Sequence, residues 1–166
     1  CDSSRAPGRP YSIFGYARRS KTAITGRMAI FQTEIKVHTS GQGTYEVSDK
    51  AHNALSVSEL QNGTLSIFCR HTSCSLVLME NADHSARLDL EAYMKRLVPE
   101  NDPHFTHTYE GPDDMPSHIK MALTRSSETI PFSNSQLLLG TWQGLFLWEH
   151  RDQPHTRSLI ITLSGE

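Results

Sequence analysis

The sequence predicts an α+β domain, predominantly β with three inserted helices. Three observations carry that prediction. "AIFQTEIKVH" alternates, with Phe31, Thr33, Ile35 and Val37 on one face and Gln32, Glu34, Lys36 and His38 on the other, the period of a half-buried strand. Two apolar runs near the end, "LLLGTWQGLFLWEHR" and "RSLIITLSG", read as strands joined by a polar connection around "DQPH". Between these regions Leu90, Tyr93, Met94 and Leu97 repeat at i, i+3, i+4 and i+7, the stripe of a helix packed on a core.

The remaining elements follow in order. "GQG" at 41–43 makes a turn. "SDKAHNALSVSELQNG" predicts a helix that opens on a capping serine and closes at Asn62-Gly63. "TLSIFCRHTS" predicts a strand with Leu65, Ile67, Cys69 and His71 on one face, and "SLVLMEN" predicts another. Asp83 is placed to cap "HSARLDLEAYMKRLV", which Pro99 and "ENDP" bring to an end. A loop follows, then a short helix, "MPSHIKMALT", with Asp114 as its N-cap and Pro116 in the first turn, where a missing N–H is tolerated. "SETIPF" reads as a brief strand and "SNSQ" as a turn.

A chain of 166 residues with 37% hydrophobic and 20% charged residues suits one globular domain with a sizeable core. The net charge of −2 gives no general attraction to nucleic acid or anionic membranes, and no apolar run approaches the roughly 18 residues of a membrane span. Cys1, Cys69 and Cys74 are scattered and odd in number, which argues against a disulfide framework and for a reducing, cytoplasmic setting. Residues 1–27 are rich in Arg, Ser and Gly with one acid, Asp2. They read as a disordered extension, with an organellar transit peptide as the other reading. The domain is expected over 28–166.

Chemistry-bearing residues concentrate in three stretches. In "HTSCS", His71 continues an inward face, so both a buried structural histidine and a site histidine fit; Thr72 and Ser73 can bond a phosphate or simply form a turn. Cys74 reads better as a small buried side chain than as a nucleophile. Asp83 fits a helix cap as well as a site carboxylate, whereas Asn81 lies where an apolar strand turns polar. In "HFTHTYEGPDDMPSHIK", His107 lies on a loop and His118 on a helix, while His104 follows Pro103 in a turn and reads as solvated. No zinc motif of standard spacing is present. Convergence of these histidines with a carboxylate would suit a divalent metal or general acid–base chemistry. In "GTWQG", glycines inside a strand call for a bulge or a close backbone approach; Trp142 fits the core, and Gln143 fits either a ligand contact or the bulge. Glu149 and Arg157 are positioned to pair across neighbouring strands.

Together, "HTSCSLVLMENAD", "VPENDPHFTHTYEGPDDMPSHIK" and "GTWQGLFLWEHR" resemble the signature blocks of the YjbQ-like family, the secondary thiamine-phosphate synthases, over nearly all of 28–166. The resemblance implies a YjbQ-like fold of two packed, mainly antiparallel β-sheets with about three helices, assembled as a homotrimer. It implies a polar cluster of His71, Thr72, Ser73, Asn81, Asp83, His107, His118 and Gln143. His71, His107, His118 and Asp83 would be catalytic, and Thr72, Ser73, Asn81 and Gln143 would bind substrate. A divalent metal, Mg or Zn, on His71, His107 and His118 would stabilise pyrophosphate. The expected activity is a weak joining of a hydroxymethylpyrimidine pyrophosphate to a thiazole phosphate. Two alternatives stay open: a metal-dependent hydrolase of a phosphorylated metabolite, and a metal- or ligand-binding trimer without turnover. The expected partners are a phosphorylated small molecule and two further copies of the chain, with no nucleic acid and no membrane.

Overall fold

A computed structural model describes residues 27–166; apart from Arg27, the expected N-terminal extension lies outside the described residues. Among the described residues, eight strands form two antiparallel sheets and three helices complete the domain, in agreement with the α+β expectation. The larger sheet has the order β1 (Ala29–Thr39), β8 (His155–Gly165), β3 (Asn62–Cys69), β5 (Ser127–Ser133), β6 (Gln136–Leu137). The smaller has the order β2 (Gly43–Glu46), β7 (Gln143–Glu149), β4 (Cys74–Glu80). The helices are α1 (Ser48–Ser58), α2 (His84–Leu97) and α3 (Asp114–Leu123).

The main core lies between the sheets. Leu65, Ile67, Leu159, Ile161 and Leu163 from the larger sheet meet Leu76, Leu145 and Leu147 from the smaller, with Ala51 and Leu55 of α1. The alternating pattern of β1 and β8 sets this register: Ile35 pairs with Leu159 and Thr33 with Ile161. The outer face of the small sheet is also covered. Val77 and Trp148 pack there with Leu90, Met94 and Val98 of the α2 region and with Ile119 of α3. Central strand β7 is therefore buried on both faces, which explains its unbroken apolar run.

Several local expectations are corrected. The first helix ends at Ser58, with Glu59 in the left-handed conformation, and Asn62-Gly63 open β3 instead of closing the helix. Val47 occupies the N-cap; the Ser48 hydroxyl accepts from Leu145 N at 3.0 Å and ties α1 to β7. β7 starts at Gln143, so Trp142 precedes it and stands exposed. Gly144 meets the expectation of close approach: a Cβ there would lie 2.8 Å from the Phe146 ring and 2.9 Å from Asn81 Cβ. Glu149 and Arg157 do pair, but from different sheets. Arg157 donates to both Glu149 oxygens at 2.6 and 2.5 Å, and Thr39 donates to Oε2 at 2.9 Å. The pair thus fastens the two sheets together within the core.

Candidate metal centre

The start of α3 carries two adjacent carboxylates, Asp113 and Asp114. The preceding turn contains Gly111 at φ 109°, a conformation that favours glycine. Asp113 is the N-cap, but its side chain makes no capping bond. It instead accepts from Arg151 Nε and Asp152 N, each at 2.9 Å. Burial alone would raise its pKa; these bonds and the Arg151 charge outweigh it and hold the carboxyl below its ordinary value. Asp114, expected as the cap, is the first helical residue and is only 1% exposed. Its Oδ1 receives Arg151 Nη1. Arg151 also donates to the Glu110 carbonyl at 2.8 Å, so one guanidinium ties together the loop, the helix start and the end of β7.

Asp114 Oδ2 is buried and has no hydrogen-bond partner among the described residues. Two imidazole nitrogens nevertheless face it: His107 Nε2 at 2.9 Å and His118 Nε2 at 3.4 Å. These contacts are close in distance but lack hydrogen-bond alignment. Asp114 and His118 share a helix face through i,i+4 spacing. His118 Nδ1 lies 2.8 Å from the Thr72 carbonyl. A carbonyl only accepts, so Nδ1 carries a proton, and Nε2 is the nitrogen turned to Asp114. A backbone carbonyl holding the far nitrogen is the usual support of a metal-ligating histidine.

The three ligand atoms lie within 4.8 Å of one another. Tetrahedral Zn with bonds of about 2.0–2.1 Å would separate its ligands by about 3.3 Å, close to the two Asp114 contacts. An orphaned buried carboxylate oxygen facing two histidine nitrogens fits a divalent cation, and His107, Asp114 and His118 are the residues that could hold one. The His107 side chain is 52% exposed, which leaves an open side. There it lines a cleft of about 230 Å³ with Phe105, Thr108, Pro112 and Met115.

Not every expected site residue reaches this centre. His71 stands apart, its Nε2 accepting from Ser158 N at 2.8 Å. Burial and then the Arg157 charge lower its pKa and favour the neutral acceptor. Thr72 contributes its carbonyl, and Ser73 is buried in the same connection. Asp83 caps α2 as expected, accepting from Ser85 N at 2.8 Å. Gln143 Oε1 accepts from Gly140 N at 2.8 Å inside a turn, and Asn81 N donates to the Trp142 carbonyl at 3.0 Å. Asn81, Asp83 and Gln143 thus gather at the far end of β4, about 20 Å along that strand from Cys74 at a rise near 3.3 Å per residue. His104 is exposed, and its N–H bonds Asp102 Oδ1 at 2.9 Å. Cys74 and Cys69 are buried free thiols with sulfurs 3.2 Å apart. The bond to Cys69 and then burial push Cys74 well above an ordinary thiol pKa, consistent with a packing role.

The sequence reading does not single out Asp113 or Arg151, and it takes Asp114 only as a helix cap. Asp114 and His118 at i,i+4 were a usable signal, since that spacing puts carboxylate and imidazole on one helix face. Arg151 had no such local signal.

Residues 33–166 match the family model described as UPF0047 protein YjbQ-like. UPF0047 protein sll1880 of Synechocystis is 44% identical over 81% of this chain and 92% of its own length. UPF0047 protein YjbQ of Escherichia coli O157:H7 is 39% identical over 82% of this chain and 99% of its own length. A YbjQ-like protein of Sulfolobus solfataricus P2 superposes with a TM-score of 0.78, covering 84% of this chain and 100% of that one. At 21% identity the last speaks for the fold alone.

Proposed function

The chain belongs to the UPF0047 YjbQ-like family, and within it we propose a divalent-metal-dependent transferase of the secondary thiamine-phosphate synthase type. Its substrate would be a hydroxymethylpyrimidine pyrophosphate and its acceptor a thiazole phosphate. The observation that carries this reading is the buried, unpartnered Asp114 Oδ2 between His107 Nε2 and His118 Nε2. A donor set of two imidazoles and one carboxylate favours a Zn-like ion over Mg, which prefers oxygen ligands. When bound, the ion would supply positive charge to the departing pyrophosphate.

The chain's own residues would do the rest. Arg151 holds Asp114 in place, and the Thr72 carbonyl fixes the His118 tautomer. The cleft beside His107 would take the pyrimidine ring against Phe105 and Pro112 and limit its orientations. Thr72 and Ser73 lie in the connection next to His118, within the region where substrate phosphate would sit. Asn81, Asp83 and Gln143 could act at the same centre only if another copy of the chain supplied them. That is a reason to include the homotrimer in the proposal; exposed Leu88, Tyr93 and Leu97 on α2 offer apolar surface for assembly. A cytoplasmic setting, suggested by the scattered cysteines, belongs to the same reading.

The test combines metal content, oligomeric mass and thiamine-phosphate formation for wild type, His107→Ala and His118→Ala. Each variant is expected to lose most bound metal and activity while keeping its mass. Full metal content and activity in both trimeric variants would sink the proposal. The exposure of His107 and the open cleft also favour a second reading, in which water replaces the thiazole and the protein is a phosphohydrolase. Release of phosphate or pyrophosphate with no thiazole phosphate present would identify it.

A further inference from the structure

A second polar site lies on the outer face of the small sheet, away from the three clustered ligands. A cavity of about 300 Å³ opens between α2, α3 and the end of β7. Lys120 of α3 and His150, just after β7, line it, 2% and 1% exposed. Among the described residues the Lys120 ammonium forms no ion pair within 4.0 Å. A lysine this buried is normally paired, because removing an ammonium from water is costly. Its nearest compensation is indirect, from Glu100, Asp152 and Asp113 at longer range.

His150 presents a matching group. Its Nε2 lies 2.9 Å from the Ser75 hydroxyl. That hydroxyl has no other acceptor among the described residues, so its proton goes to Nε2. The ring's own proton then sits on Nδ1. The other charged groups of the cavity are engaged or add to the positive side. Glu91 Oε1 accepts from Thr44 N at 2.7 Å and from its hydroxyl at 2.6 Å. Glu149 is bound by Arg157. Lys95 is exposed at the rim. The walls therefore offer an ammonium outside any ion pair and a buried imidazole.

We propose that this cavity binds a small oxyanion, the carboxylate or phosphate group of a metabolite, on Lys120 Nζ and His150 Nδ1. The volume stands at the lower end of small-molecule sites, and a lysine recognises such a group as a point charge. None of His107, Asp114 and His118 lines this cavity. An anion bound only by the folded chain would stabilise the fold.

The test uses the purified full chain, freed of metal and then of chelator, titrated calorimetrically with inorganic phosphate, pyrophosphate and acetate. The three arms separate a phosphate site from a carboxylate site. Wild type and Asp114→Asn are expected to bind the preferred anion alike, with Lys120→Met weaker by about tenfold or more, the value of one charge-assisted hydrogen bond. Without anion, Lys120→Met should melt no lower than wild type, since a buried unpaired charge has been removed; adding the anion should raise only the wild-type Tm. Histidine side-chain NMR of wild type gives a readout free of folding defects, and the His150 signals should shift first. Failure of all three anions to bind wild type overturns the proposal. So does equal binding by Lys120→Met, or binding lost in Asp114→Asn and kept in Lys120→Met. A Lys120→Met change in oligomeric mass without any anion binding would assign the lysine to a second copy of the chain instead.

Discussion

The two oxygens of Asp114 serve different neighbours: Oδ1 meets Arg151, and Oδ2 faces two histidines without a bond of its own. This residue was legible only as a helix cap, because an acid at a helix start normally accepts from the first-turn N–H groups. Here Arg151, 37 residues away in sequence, binds Oδ1 instead. His107 and His118 were legible from residue type and local pattern. His71 was legible as an inward residue, but its engagement by Ser158 N was not. Glu149 shows the opposite arrangement, a buried carboxylate with every lone pair used: Arg157, Thr39 and the amides of His150 and Arg151 all donate to it. Glu149→Gln should destabilise the protein by about 3–5 kcal/mol, because it leaves Arg157 buried and uncompensated. Urea unfolding at pH 7 measures this, and a loss under about 1 kcal/mol would contradict a structural role for the pair.

At the scale of elements, strands were easier to locate than to assign to sheets. The period-2 pattern marked β1 and β3, and the run of apolar residues marked β7. Nothing local said that β7 and β8, joined by a short connection, enter different sheets, since that choice depends on packing between distant segments. The first helix was extended too far because Asn-Gly suits a helix terminus as well as a strand start. The glycines of "GTWQG" were better signals: each marked a real constraint, Gly140 in the turn closed by Gln143 and Gly144 beneath Phe146. Gly144→Ala should lower stability by about 1–3 kcal/mol through overpacking against that ring and Asn81. Thermal melting followed by circular dichroism is the check; an unchanged Tm would mean that β4 and β7 separate more readily than their packing implies.

For the whole molecule, pH acts through buried imidazoles. Burial and then the Lys120 charge lower the His150 pKa to about 3, whereas an unfolded histidine titrates near 6.5. Below about pH 6.5 the unfolded chain takes up a proton that the folded chain refuses. Stability from this group is therefore complete above that value and is lost as pH falls toward 3. At 1.36 kcal/mol per pH unit, the loss between pH 7 and pH 5 is about 2 kcal/mol. Glu149 has a depressed pKa despite the opposing effect of burial, because its hydrogen bonds and Arg157 prevail. Its contribution is present above its unfolded value near 4.3 and fades only at lower pH. Unfolding free energies at pH 7 and pH 5 should therefore differ mainly through histidine, with His150→Gln flattening the slope. Equal values for wild type would overturn the buried neutral assignment.

Glu149, His150 and Arg151 are consecutive, yet each serves a different place: the bond between the sheets, the outer cavity and the carboxylates at the start of α3. Their destinations depend on the alternation of side chains as β7 ends. Removing or adding one residue within β7 would reverse that alternation and misdirect all three at once. Removing one from the exposed turn at 152–154 would leave them in place. A single substitution here would disturb one of the three places, whereas a change in the length of β7 would disturb all of them.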